Sequence, residues 1–340
     1  MFKTSLVITT INKPNRNLKK YALGCKKKNW KFIIIGDKKT PKNFNLKNSF
    51  FISFKKTIQG LSFISACPLN SYSRKNIGYL LAMKENSDVI VETDDDNSPL
   101  SNFFKPFKLY EKARTVFNND WLNICNYFIN TNKNFDVWPR GLPLDKIKKD
   151  VNEKLLKQKR KKTLINHSLC NGNPDVDAIF RLINKNKINV KFLANRKYFI
   201  SKKSFCPFNS QSTMWYKDSF PLLYLPSYCS MRSTDIFRGL IALVILKNDN
   251  QNIIFSSPTV FQKRNVHDLL LDFKDEVPVH LFNKKIIDIL KKIKFKKGVD
   301  EYLSNLKLCY VELIKNGIFP EKELKLVNLW IKDIKNLPDD

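Results

Sequence analysis

Val89-Ile90-Val91-Glu92-Thr93-Asp94-Asp95-Asp96-Asn97 runs from three β-branched residues straight into four acids within five positions. A short β-branched run bounded by polar residues reads as a buried strand. Just upstream, Ile77, Leu80 and Leu81 fall on one face of a helix. Further back the same alternation recurs: residues 5–11 form a β-branched run, Leu18, Tyr21, Ala22 and Cys25 sit at helical spacing, and Phe32-Ile33-Ile34-Ile35-Gly36-Asp37 is a second buried strand. Strand, helix and strand in succession predict an α/β fold, with parallel strands and helices on both faces. In such sheets ligands bind beyond the carboxyl ends of the strands, so Thr10, Asp37 and the Asp94 cluster are expected to meet in one crevice.

Neighbouring carboxylates raise one another's pKa and oppose burial, so the cluster calls for a cation. Residues two apart in an extended chain face the same way; Asp94 and Asp96 can therefore offer oxygens to one hard divalent ion, Mg²⁺ or Mn²⁺, while Asp95 points elsewhere. The competing reading is an acidic solvated turn. Before this strand, Asn70-Ser71-Tyr72-Ser73-Arg74-Lys75-Asn76-Ile77-Gly78 opens a helix with polar and basic residues. Its unpaired N–H groups, Arg74 and Lys75 could face a phosphate, or Ser71 or Ser73 could simply cap it. A third segment, Ser233-Thr234-Asp235-Ile236-Phe237-Arg238-Gly239, opens an apolar helix. Asp235 is there either a general base or a cap paired with Arg238. His267 is one of three histidines, and a neutral imidazole is a ligand for Mn²⁺ as well as Zn²⁺; alone, it reads as structural.

The chain has 340 residues, of which 43% are hydrophobic, enough for one large domain with a core. Lys and Arg outnumber Asp and Glu 61 to 31, a net charge of +30 that would suit nucleic acid or an anionic membrane. The excess is lysine spread along the chain with abundant Asn and Ile and only 9 Gly, which argues against a dedicated nucleic-acid surface. A Lys/Arg run at residues 157–162 reads as a solvated helix face or loop rather than a phosphate patch. Seven cysteines without C-x-x-C spacing fit a reducing compartment. The densest apolar run, residues 239–246, is too short to span a bilayer, and the first residues read as a strand rather than a secretory signal. A cytoplasmic protein is expected, with peripheral attachment at the inner membrane face left open. After Phe273 the pattern turns helical, which divides the chain into residues 1–272 and a helical appendage at 273–340.

Taken in order, the motifs resemble the catalytic domain of the STELLO-type glycosyltransferases. The resemblance covers most of the first 275 residues. It rests on Val7-Ile8-Thr9-Thr10-Ile11, Gly36-Asp37-Lys38-Lys39-Thr40-Pro41, residues 70–79 and 92–97, Trp138-Pro139-Arg140-Gly141, residues 171–182, Pro207-Phe208-Asn209-Ser210-Gln211-Ser212-Thr213 and residues 234–239. Asn173, where an acid is expected, and the helical tail depart from it. The resemblance implies a GT-A fold, a mixed and mostly parallel sheet, and transfer of a sugar from a nucleotide-sugar donor, a UDP-sugar by expectation, to a glycan or lipid-linked acceptor. It places Asp235 at the catalytic acid-or-base helix with Arg238 orienting it, and His267 beside Asp94 and Asp96 at the metal. Thr10, Asn12, Asp37, Arg74, Asn76 and Asp95 are then expected at the nucleotide, and Arg140, Asp175 and Asp177 at the sugar or acceptor. Arg140-Gly141-Leu142-Pro143 and Asn173-Pro174-Asp175-Val176-Asp177-Ala178 are also similar, more faintly, to the reversibly glycosylated polypeptides, which include nucleotide-sugar mutases. That likeness implies an alternative in which Arg140 carries the sugar.

Overall fold

A Cβ placed on Gly78 would stand 2.4 Å from Val7 Cγ1, so the helix that carries this glycine lies closer to the first strand than any side chain would permit. The computed structural model describes residues 2–105, 107–129, 136–184, 189–263 and 268–338. It opens with β1 (Thr4–Thr10), α1 (Arg16–Lys28) and β2 (Lys31–Gly36), the expected βαβ unit. Asn15 caps α1 by accepting from Leu18 N, and Asn29 ends it in the left-handed region at φ 54°. After β3 (Phe50–Ile52) and α2 (Phe63–Ala66), a 3-10 turn at Tyr72–Arg74 runs into α3 (Lys75–Lys84) and then β4 (Val89–Thr93).

The chain continues through β5 (Asn97–Pro99), β6 (Tyr110–Phe117), β7 (Lys154–Lys162), β8 (Ile165–Gly172), α4 (Ala178–Ile183), β9 (Lys197–Ile200), β10 (Ser212–Tyr216), α5 (Thr234–Asn248) and β11 (Ile253–Gln262). It ends in α6 (Leu269–Leu290), α7 (Tyr302–Lys315) and α8 (Lys322–Lys335). All the strands join one sheet in the order β3-β2-β1-β4-β10-β8-β11-β9-β6-β7, with β5 alongside β11. Pairing is parallel from β3 to β4 and mixed beyond, because β10 runs antiparallel to both β4 and β8. The expected α/β class, a large mixed sheet flanked by helices in the manner of GT-A proteins, is what forms.

The Lys/Arg run at 157–162 is neither helix nor loop. It lies in β7, antiparallel to β6 at the outer end of the sheet. An edge strand lets its side chains reach water from both faces, so a charged run is tolerated there and discourages further strand pairing.

Period-two alternation divides the core between the two faces of the sheet. Leu6, Ile8, Ile34 and Val91 meet Leu18, Tyr21 and Cys25 of α1 on one face. Val7, Ile33, Ile90 and Trp215 meet α3, α5 and the last three helices on the other, in an unbroken core that reaches Trp330. α8 is tied down by two carboxylates. Glu323 accepts from Tyr224 Oη, Ser227 N and Tyr228 N, and Asp333 from Ser62 N and Phe63 N at the start of α2. No described helix is long and apolar enough to cross a membrane. The seven cysteines are free thiols.

Candidate functional site

β1, β2 and β4 end side by side, and beyond their carboxyl ends lies a crevice of about 390 Å³. Thr10, Asp37, Arg74, Asp94, Asp95, Asp96, Arg140, Asp175 and Asp235 all line it, so nine of the residues singled out from sequence converge as the topology required.

The acidic cluster is not an extension of the strand. β4 stops at Thr93, and Asn97 N donates to Asp94 O at 3.2 Å, which makes residues 94–97 a turn. Turn geometry, not strand alternation, therefore gives each of the three carboxylates its own partners, although all three line the crevice. Asp95 Oδ2 accepts from Thr10 Oγ1 at 2.5 Å and Asn12 Nδ2 at 3.0 Å, which staples the turn to the end of β1. Asp94 Oδ1 accepts from Tyr72 Oη at 2.6 Å and Lys75 Nζ at 2.8 Å. Asp96 Oδ2 accepts from Gln262 Nε2 at 2.6 Å. Burial, reinforced by the charge of Asp94, pushes the Asp96 carboxyl up to about 6. Burial also raises Asp94, in spite of Lys75.

For Lys75 a phosphate contact and simple exposure beside a helix cap were both open. It is instead fully buried, with Nζ donating to Tyr72 Oη, Thr93 O and Asp94. Arg74 lines the crevice but is also buried, donating from Nε to Gly36 O at 3.2 Å and standing 3.8 Å from Asp37 Oδ1. Asp37 Oδ2 accepts from Ser71 N at 3.0 Å, so the end of β2 holds the start of the 3-10 turn in place.

On the opposite wall, Arg140 joins two carboxylates. Its Nε lies 3.0 Å from both oxygens of Asp175, its Nη2 2.5 Å from Asp175 Oδ2, and Nη1 and Nη2 each 3.1 Å from Asp235. Burial alone would raise Asp175, but the adjacent Arg140 guanidinium holds its carboxyl below the usual carboxylate range. The same pairs outweigh burial for Arg140 and fix it as a cation. Asp235 Oδ2 also accepts from Ser210 N and Oγ, both at 3.2 Å, and Ser210 Oγ lies 2.5 Å from Tyr72 Oη. A run of close polar contacts thus links Asp235, Ser210, Tyr72 and Asp94.

Three expected site residues serve the fold instead. Arg238, expected to orient Asp235, points across α5 to Glu92, at 2.7 and 2.9 Å, under the Trp215 ring; the partner that reaches Asp235 is Arg140. Residues three apart are neighbours on a helix, but a buried acid on the neighbouring strand offers both oxygens and captures the guanidinium. Asn76 is buried and exchanges two hydrogen bonds of 2.8 Å with the backbone of Leu225. Asp177 is fully buried as the cap of α4, accepting from Phe180 N at 2.7 Å and Trp138 Nε1. Asn12 reaches the crevice only through Asp95. His267 lies outside the described residues, among which no group of three or more His, Cys, Asp or Glu is arranged to enclose a metal ion.

Sequence reasoning passed over Tyr72, Ser210, Gln211, Arg232 and Gln262, which contribute to the crevice or to its hydrogen bonds. Tyr72, Ser210 and Gln211 stand inside the motif segments, but nothing in their spacing says that they face inward. Arg232 and Gln262 carried no signal at all.

Fold and crevice together define an α/β protein of the GT-A kind, with an acidic turn at the carboxyl edge of its parallel strands. The family model for STELLO glycosyltransferases matches residues 232–339. Two proteins of Arabidopsis thaliana align with 97% of the chain: "Probable glycosyltransferase STELLO2" at 24% identity over 345 residues and "Probable glycosyltransferase STELLO1" at 25% over 344. The chain is similar to the STELLO glycosyltransferases, as its motifs led one to expect, and spans 44% of the length of each of these two proteins. The family match extends through the three C-terminal helices, which the motif resemblance had not reached.

Proposed function

We propose that the chain is a glycosyltransferase that moves a sugar from a nucleotide-sugar donor, a UDP-sugar in the first instance, to a glycan acceptor. The observation that carries this reading is the meeting, in one crevice, of the acidic turn, the end of β2 and the Arg140–Asp235 pair. A relationship to proteins named as probable glycosyltransferases supports it.

Half-buried carboxyls whose ionisation is suppressed by burial, and at Asp96 also by the charge of Asp94, fit a divalent cation, because a cation would reverse that suppression. Asp94 and Asp96 would hold it, Mg²⁺ or Mn²⁺. Bound there, it supplies countercharge to the diphosphate. Thr10 and Asp37, at the ends of β1 and β2, border the space for the nucleoside, and Arg74 stands beside them. Asp235 takes the proton of the acceptor hydroxyl as the bond to the sugar forms and the bond from the sugar to the departing nucleoside diphosphate breaks. Arg140 and Ser210 position it, and Asp175 in turn fixes Arg140. The Arg140 guanidinium is engaged by both Asp175 and Asp235, which weighs against it as a sugar carrier and so against the mutase alternative.

The test is thermal unfolding in the presence of UDP- and GDP-sugars, with and without Mn²⁺ or Mg²⁺. A ligand bound by the folded state alone raises its apparent stability. At least one nucleotide sugar should raise Tm, with the divalent ion and not without it, and Asp94→Asn should abolish the rise. Failure of every nucleotide sugar to stabilise the protein overturns the reading.

A further inference from the structure

α5 carries Asp235 at one end and Lys247 and Asn248 at the other, about 18 Å away along the helix axis. That far end meets the end of α6 and the loop after β9 around a cavity of about 220 Å³. Its polar lining consists of Lys202, Lys247, Asn248 and Lys291, and the rest is apolar.

Two of these cations converge on one ring. Lys247 Nζ lies 3.8 Å and Lys291 Nζ 4.5 Å from the centre of the Phe205 ring, which brings two like charges onto a single side chain. Lys247 Nζ and Asn248 Nδ2 are both buried, and neither has a hydrogen-bond partner. Lys202 Nζ, in contrast, donates to Asn250 Oδ1 at 2.8 Å. A ring face steadies an ammonium but offers no ordinary acceptor to its three N–H groups. Burial, to which the charge of Lys291 adds, lowers the pKa of Lys247, so the cavity on its own holds that charge poorly. A methionine of similar reach would be cheaper there for the fold alone.

The usual partners of such lysines are committed elsewhere. No acid lines the cavity. Asp120, which feels the charge of Lys291, stands 2.6 Å from Lys146, and Asp249 accepts from Gly298 N and Tyr302 Oη. A lysine near the end of a helix commonly answers its last free carbonyls. Here the backbone already does so: Ile245 O, Leu246 O and Lys247 O accept from Asp249 N, Gln251 N and Asn250 N, and Ile287 O, Ile289 O and Leu290 O from Lys291 N, Lys292 N and Ile293 N.

What the cavity lacks is a small, acceptor-rich anion. We propose that it is a ligand site for a phosphate dianion, free or as the terminal group of a phosphomonoester, held by Lys247, Lys291 and Asn248 with Lys202 at its edge. Such a group carries close to two negative charges near pH 7, matching two unpaired lysines, and offers three strong acceptor oxygens where a carboxylate offers two. The volume is below the range of sites for drug-sized ligands and suits one such group. No residue lines both this cavity and the crevice around Asp94, so the proposal stands independently of the transfer reaction.

Isothermal titration calorimetry at pH 7, in phosphate-free buffer without divalent metal, tests it with inorganic phosphate, glycerol 3-phosphate and acetate. Phosphate or glycerol 3-phosphate should bind at least tenfold more tightly than acetate, and the tighter of the two identifies the free or the esterified form as the ligand. Lys291→Gln, a change at an exposed side chain, should weaken that binding at least tenfold. Lys325→Gln on α8, which removes the same charge elsewhere, should leave it unchanged. Lys247→Met should abolish it, with Tm in phosphate-free buffer equal to or above that of wild type, a combination that a lysine kept for the fold would not give. Absence of binding by both phosphates, acetate bound as tightly, equal loss in Lys291→Gln and Lys325→Gln, or a lower Tm for Lys247→Met overturns the proposal. Asp94→Asn should bind the same phosphate as wild type does, whatever becomes of nucleotide-sugar binding.

Discussion

Asp235 is held by Arg140 on one side and the backbone and hydroxyl of Ser210 on the other. If it is the proton acceptor, Asp235→Asn keeps nucleotide-sugar binding but loses about 10²- to 10⁴-fold in transfer rate, measured as kcat under saturating donor. A variant with a normal kcat and weakened donor binding would move Asp235 into the donor pocket instead. Lys75 is the more consequential find, because a buried ammonium beside Asp94 is the cluster's own countercharge. Lys75→Met should cost about 3–5 kcal/mol in denaturant unfolding, the usual range for breaking a buried ion pair, and Lys75→Met/Asp94→Asn should recover part of it. His167 adds a pH dependence unrelated to the crevice. Burial pushes its imidazole down to about 4, and its Nδ1 lies 2.9 Å from Thr213 Oγ1. The unfolded chain takes up this proton near pH 6.5 and the folded chain only near 4, so stability falls as pH is lowered through that window, by about 3 kcal/mol in total. His167→Gln should flatten that part of the Tm-against-pH curve. Residue chemistry was legible where acids stood in sequence, as at 94–96, and illegible where partners came from elsewhere. No spacing rule pairs Arg140 with Asp235, ninety-five positions away.

At the level of elements, the strands that end at the crevice were readable because each is a β-branched run followed by polar residues. α1 and α3 were readable because their apolar residues keep helical spacing. β7 was misread because a lysine-rich run has no apolar period at all, and only its pairing with β6 makes it a strand. α8 shows what an element can do beyond filling space. Glu323 caps the loop that leads from Tyr224 to α5, and so holds the segment that ends at Asp235. Glu323→Gln should cost about 1–3 kcal/mol, because one carboxylate oxygen that now accepts hydrogen bonds becomes an amide that cannot. Chemical denaturation with circular dichroism would measure it; a loss under about 0.5 kcal/mol would show that the loop is held by packing alone.

For the whole molecule, the main question is how far the last three helices are part of the fold that carries the crevice. Trp330 is fully buried, with its ring 6.2 Å from Phe63 and 5.8 Å from Tyr224 and its Nε1 donating to Pro221 O at 3.1 Å. Arg232, on the crevice wall, pairs with Glu276 of α6. Trp330→Ala should therefore cost about 3–5 kcal/mol. A chain ended at residue 272 should fail to unfold cooperatively, since the apolar faces of α3 and α5 would lose their cover. A truncated chain with a sharp thermal transition and intact nucleotide-sugar binding would show instead that the helices are an independent appendage.

The lysine-lined outer strand has a consequence for handling the protein. β7 offers a free row of backbone donors and acceptors to any passing chain, and what stands in the way there is like charge on residues 157–162. Charge is the one barrier that dissolved salt removes: the screening length shrinks from about 10 Å at 0.1 M to about 3 Å at 1 M. Concentrated stocks should therefore stay clear in dilute buffer and scatter light as salt is raised, the reverse of the usual remedy for a sticky basic protein. Lysines changed to glutamine at 157, 159 and 161 should bring the turbidity on at lower salt.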